Sequence, residues 1–135
     1  MILDSSALVA IALKEPGYEG LLDAIAAAPR VAIGAPTLVE TAVIISARLG
    51  RDARGLIGRL LLEADIAVIP FSDAHFGTAI DAWLRYGPNL HAASLNFGHC
   101  LAYAAARVAN EPLLFTGEAL ARTDVTLAIP SQPAN

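Results

Sequence analysis

The chain has 135 residues, a 56% hydrophobic fraction and a formal net charge of −4. That length suits one domain with a core of its own, and the negative charge excludes a general polyanion binder, whose affinity rests on neutralising phosphates. A single cysteine, Cys100, excludes an intrachain disulfide and a multi-cysteine metal site, and no apolar run approaches the roughly 20 residues a bilayer span requires.

Ile2-Leu3 reads as a buried strand, and Asp4-Ser5-Ser6 as the polar cap of a helix that carries Ala7 to Leu13 and stops at Pro16-Gly17. No basic leader precedes Asp4, so the expected location is the cytoplasm. A second helix spans Tyr18 to Ala28 and is closed by Pro29. Val31 to Ile33 is strand-like up to Gly34, and Pro36 suits the first turn of a helix that runs to Leu49 before Gly50. Ala53 to Ala64 predicts a further helix, and Ile66 to Ile69 a strand ended by Pro70. Ser72 caps a helix to Tyr86 with Phe76, Ala79, Ile80, Trp83 and Leu84 at helical spacing, followed by a polar loop over Gly87 to Ser94. Asn96 caps the next helix, with Leu101, Ala104, Ala105 and Val108 as its apolar stripe. Pro112 to Phe115 and Val125 to Ile129 are the last two strands. The alternation predicts an α/β fold with a mostly parallel sheet, a domain over 1–130 and a tail over 131–135.

In such sheets ligands sit outside the carboxyl ends of the strands, so acids that follow strands are the first candidates. Asp4 follows the first strand directly, where it serves equally as a helix cap or as a site residue. Glu40 lies one turn into its helix among Pro36, Thr37, Val43, Ile44 and Ala47, and a carboxylate on so apolar a face needs a cation, a donor or water. Glu118 follows the Leu113 to Phe115 run by two residues, and Asp124 precedes the final strand. Several carboxylates grouped in this way suit Mg²⁺ or Mn²⁺, which prefer oxygen donors. His99 falls in the first turn of the Asn96-capped helix, where a neutral imidazole suits Mn²⁺ better than Mg²⁺.

Four stretches carry a resemblance to a known family: Met1 to Ala10 (MILDSSALVA), Pro36 to Glu40 (PTLVE), Leu95 to Ala106 (LNFGHCLAYAAA), and Glu111 to Glu118 (EPLLFTGE) continuing through Thr123 to Val125. In order and spacing they resemble the four motifs of VapC toxins, PIN-domain ribonucleases of type II toxin–antitoxin systems. The resemblance implies a PIN fold, with a mostly parallel sheet flanked by helices and acids converging at one end on one or two divalent ions, Mg²⁺ or Mn²⁺. It implies an endoribonuclease neutralised by a VapB-type antitoxin. Residue by residue, it makes Asp4 a metal ligand and Glu40 a ligand directly or through water. Glu118 stands where the fourth motif carries an acid, with Asp124 as an auxiliary. His99 departs from the pattern, because the third motif has Asp there; its substitution implies weaker metal binding.

Three functional readings follow. The first is an RNA-cleaving toxin that contacts phosphates through Arg48, Arg51, Arg54 and Arg59, which with Asp52 give a local balance of +3 (four minus one), and stacks a base on Tyr86 beside Arg85. The second is a catalytically silent module that dimerises and captures the antitoxin. The third, a hydrolase using Ser5 or Ser6, lacks the G-x-S-x-G elbow. The surplus of apolar residues predicts a homodimer, and the acidic, apolar character predicts an antitoxin helix laid in a groove with a basic side chain directed at the acidic site.

Overall fold

The computed structural model describes residues 1–130, so the expected tail lies outside the described residues. In chain order the elements are β1 (Ile2–Leu3), α1 (Ser5–Ala12), α2 (Tyr18–Ala27), β2 (Val31–Gly34), α3 (Ala35–Leu49), α4 (Arg54–Glu63), β3 (Ile66–Ile69), α5 (Asp73–Tyr86), α6 (Phe97–Ala109) and β4 (Leu113–Leu114), followed by a 3₁₀ turn over Leu120–Arg122. The four strands form one parallel sheet in the order β3-β2-β1-β4.

A parallel sheet needs cover on both faces, and strand alternation divides the apolar residues accordingly. Leu3 and Ile33 pack with Leu8, Ile45 and Ile57 on one face. Ile2 packs on the other with Leu113, Leu95, Tyr103 and the alanines of α6. Those alanines let α6 approach the sheet closely: a Cβ at Gly34 would lie 3.5 Å from that of Ala105. Gly50 ends α3 at φ +66°, a left-handed conformation that glycine adopts without a Cβ penalty, and Asn110 ends α6 in the same region at φ +53°.

One expected strand is corrected. Val125 to Ile129 does not form a strand; it makes one parallel bridge, Leu127 to Leu113, with hydrogen bonds from Leu113 N to Thr126 O and from Ala128 N to Leu113 O. Among the described residues the strand it pairs with is β4, which is two residues long and offers too short an edge for a ladder. The helix expected over Ser72 to Tyr86 is present as α5; its small residues Ala79 and Ala82 face inward with Tyr86, whereas Phe76, Ile80, Trp83 and Leu84 lie on the solvent side.

Chain order reverses at β1, from which β2 lies on one side and β4 on the other. The crevice outside the carboxyl ends of β1 and β4 is therefore where a ligand is expected.

Candidate active site

Asp4 is delivered to that crevice by β1. Its Oδ2 caps α1, accepting hydrogen bonds from Ser6 N at 3.1 Å and Ser6 Oγ at 2.6 Å. The Ser6 hydroxyl in turn accepts from Thr116 N at 3.0 Å, so it ties the end of β1 to the loop that leaves β4. The other oxygen, Oδ1, is buried with no partner, and the residue as a whole is 2% exposed. Cap and site residue are thus compatible roles, one for each oxygen.

Glu40 reaches the same end from α3, which starts where β2 stops. Its Oε1 is also buried without a partner. Among the described residues that are not exposed, Asp4 Oδ1 and Glu40 Oε1 are the two buried side-chain polar atoms left unsatisfied. Leaving a buried carboxylate oxygen unpaired costs several kcal/mol, so each of the two needs a cation, a donor or water. The Glu40 carboxylate lies against the backbone of Gly98 in the first turn of α6, whose positive dipole end favours an anion.

His99 is the third residue of α6, in its first turn, and completes a capping box with the cap residue Asn96. Its backbone N donates to Asn96 Oδ1 at 2.9 Å, and its ring Nδ1 accepts from Asn96 N at 3.2 Å. Only Nε2 is left for a metal. Glu118 follows the tied residue Thr116 but turns outward, accepting from Arg122 at 2.9 Å on an exposed side chain. Asp124 precedes the segment that runs parallel to β4, whereas Asp4 lies beyond β1, and it is committed elsewhere. It accepts from Tyr103 OH at 2.7 Å and from Arg85 at 3.4 Å, with Arg107 3.9 Å away. Burial opposes ionisation of Asp124, but the Tyr103 hydrogen bond, Arg107, a Tyr86 hydrogen bond and Arg85 outweigh it and lower the pKa. Burial and the same carboxylate raise the Tyr103 phenol to about 12. Among the described residues no three His, Cys, Asp or Glu side chains gather as a metal-binding group. Asp4, directly after β1, and Glu40, on the helix that follows β2, thus both lie toward the carboxyl ends of the strands, whereas His99, Glu118 and Asp124 are committed to other partners.

The expected phosphate contacts change as well. Arg48 pairs with Glu15 at 3.1 Å, Arg54 with Asp52 at 2.8 Å and Arg59 with Glu63 at 3.7 Å, which leaves Arg51 as the member of that group without an ion pair among the described residues. The Arg54 hydrogen bonds hold Asp52 at a pKa of about 2. Tyr86 is buried rather than free to stack on a base, with the Arg85 guanidinium 4.8 Å from its ring centroid. Cys100 is buried in α6, and desolvation raises its thiol pKa, in keeping with a packing role.

Three contributors escape a reading of the sequence by acid content: Ser6, Thr116 and Gly98. Ser6 is visible in hindsight as a hydroxyl two residues after the acid, and Gly98 as a glycine inside an otherwise alanine-rich helix, which often marks a close approach.

The model of the PIN domain family matches residues 1–125 of the chain. The chain is 39% identical over 125 residues to Ribonuclease VapC of Mycolicibacterium smegmatis, covering 93% of this chain and 97% of that protein. It is 38% identical over 126 residues to Ribonuclease VapC36 of Mycobacterium tuberculosis, covering 93% and 91%. Among solved structures, Mycobacterium tuberculosis VapC20, a Sarcin-Ricin loop cleaving toxin, superposes with a TM-score of 0.74 at 15% identity over 93% of this chain and 95% of that one. A toxin–antitoxin complex from Klebsiella pneumoniae contains a chain with a TM-score of 0.64 at 17% identity, covering 87% and 86%.

Proposed function

We propose that this chain, which belongs to the PIN-domain family and within it to the VapC ribonucleases, is the toxin of a toxin–antitoxin pair and cleaves RNA with a divalent ion held by Asp4 and Glu40. The observation that carries the metal reading is the pair of buried, unpartnered carboxylate oxygens, Asp4 Oδ1 and Glu40 Oε1. Two carboxylates plus water are a suitable donor set for Mg²⁺, which keeps much of its hydration and takes further oxygens from substrate phosphate. When bound, the ion supplies a nucleophilic water of lowered pKa and offsets charge that develops on the scissile phosphate.

The remaining roles belong to the chain. Ser6 fixes the Asp4 rotamer through its 2.6 Å hydrogen bond and leaves Oδ1 free, while Thr116 N fixes the Ser6 hydroxyl. The first turn of α6 offsets the charge of Glu40. His99 would complete the donor set through Nε2, and Glu118 would join after leaving Arg122; Asp124 would support the site from outside it. Phosphate contacts would centre on Arg51. A VapB-type antitoxin would lay a helix in an apolar groove and bring a basic side chain to the carboxylates, and a second copy of the chain would cover the outer face of α5.

Cleavage of a structured RNA with Mg²⁺ or Mn²⁺ tests this reading. Asp4→Asn and Glu40→Gln are each expected to slow cleavage about a hundredfold or more, roughly 2.7 kcal/mol of transition-state stabilisation. Unchanged rates in both variants would refute the site. The commitment of the His99 ring to Asn96 favours a second reading, a silent module that keeps dimerisation and antitoxin capture. His99→Asp decides between them. If the parent is a functional nuclease of reduced metal affinity, the variant raises Mg²⁺-dependent cleavage about tenfold, roughly 1.4 kcal/mol; if the parent is silent, cleavage is seen only in the variant.

A further inference from the structure

In an alanine-rich helix such as α6 a glycine has no local reason to be there, because alanine is the better helix former. Gly98 is the second residue of α6 and is buried. A Cβ built there would lie 2.6 Å from both Cδ and Oε1 of Glu40, and closer still to Oε2. Real Cβ atoms essentially never come within 3.0 Å of a neighbour, so the space a side chain would need at position 98 is filled by the Glu40 carboxylate. The other helical glycines of the described chain behave differently: Cβ atoms at Gly20, Gly55, Gly58 and Gly77 would meet nothing within 4 Å. Gly98 is thus the helical glycine whose missing side chain is occupied by a functional group.

We infer that Gly98 is a positioning residue for Glu40, a bare seat on α6 that holds the carboxylate at the α3–α6 contact, with Oε1 buried, unpartnered and ready to be used as a ligand. The inference rests on the proposed metal site for its consequence in catalysis, but the steric claim stands apart from it. Any side chain at position 98 must push Glu40 to another rotamer or force α3 and α6 apart. The interaction is reciprocal, since a shorter side chain at position 40 removes the conflict.

A double-mutant cycle separates the two claims. Gly98→Ala is expected to lower the thermal midpoint of the metal-free protein when Glu40 is present. In a Glu40→Ala background the same substitution is expected to leave the midpoint unchanged or raise it, because the seat is empty and alanine favours the helix. An equal fall in both backgrounds would overturn the inference, as would no fall in either. If Gly98→Ala alone does not fold, recovery of folding in Glu40→Ala/Gly98→Ala supports the inference and failure to recover overturns it. For the catalytic consequence, Mn²⁺ titrated into folded Gly98→Ala should bind at least tenfold more weakly than to the parent, with kcat falling and KM for RNA nearly unchanged. Glu40→Gln serves as the control. Loss of Mn²⁺ affinity in Glu40→Gln but not in Gly98→Ala would overturn the positioning role alone, and no loss in Glu40→Gln would overturn the metal reading while the stability cycle still decides the seat.

Discussion

Tyr103 and Asp124 share a 2.7 Å hydrogen bond at the flank of α6, and each shifts the other in the direction expected for a phenol donating to an ionised carboxylate. The Tyr103 pKa is raised above its ordinary value of 10.0, so folding favours the protonated phenol. That stabilisation is complete below pH 10 and is lost as pH rises to about 12, where the folded protein also ionises. Asp124 has the opposite sign: its lowered pKa gives stability above the usual carboxylate range that disappears as pH falls through the folded value. Tyr103→Phe is expected to cost about 1.5 kcal/mol at neutral pH, as for a hydrogen bond to a charged group. The gap between parent and variant in thermal midpoint should close as pH rises from 10 to 12; a constant gap would mean that the hydrogen bond does not carry the stability. Asp124 was legible in the sequence as an acid, but its employment by Tyr103, Arg85 and Arg107 was not. Those partners come from two helices 17 or more residues away, and no local pattern records them.

The helix termini show what local chemistry can and cannot reveal. Asn96 and Ser72 read correctly as caps because their side chains suit that role wherever they precede an apolar run. Both helices then use a histidine at the third position, His99 and His75, whose Nδ1 accepts from the cap residue's own N–H at 3.2 and 3.0 Å. This is the task that Glu or Gln performs in a capping box. A sequence reading that treats His99 only as a replaced ligand misses this use, because it weighs the residue by metal chemistry rather than by helix position. Asn96→Ala removes the acceptor for His99 N and is expected to cost about 1 kcal/mol, lowering the melting temperature by roughly 4 °C. Circular dichroism at fixed pH checks this, and an unchanged melting temperature would show that the cap is dispensable. The final segment illustrates the converse case. Val125-Thr-Leu-Ala-Ile129 has the composition of a strand, yet a strand needs an edge to pair with, and the length of β4 is a property of another part of the chain.

At the scale of the whole molecule, the parallel α/β architecture was readable because Pro and Gly mark nearly every boundary and the apolar runs change period between strand and helix. Strand order was not, since it depends on which faces the helices can cover. The direction of the α5 stripe was hidden for the same reason: periodicity shows that a helix has an apolar face but not that its small residues pack inward and its bulky ones outward. Phe76 is 64% exposed and Leu84 59% exposed, with Ile80 and Trp83 between them on the same side of the helix. Residues at spacings of four, seven and eight form one continuous strip, and an apolar strip of that size on a free surface favours association. No helix among the described residues is long and apolar enough to cross a membrane. A second copy packing α5 against α5 would bury the strip twice over by two-fold symmetry, since each residue contributes on both sides. Sedimentation at tens of micromolar, well above the dissociation constants of stable dimers, is expected to show a dimer. Ile80→Asp should convert it to a monomer without unfolding it, because the residue lies on the outer face and a carboxylate there meets water in the monomer but is desolvated in the dimer. A parent that sediments as a monomer, or an Ile80→Asp variant that remains a dimer, would exclude α5 as the contact.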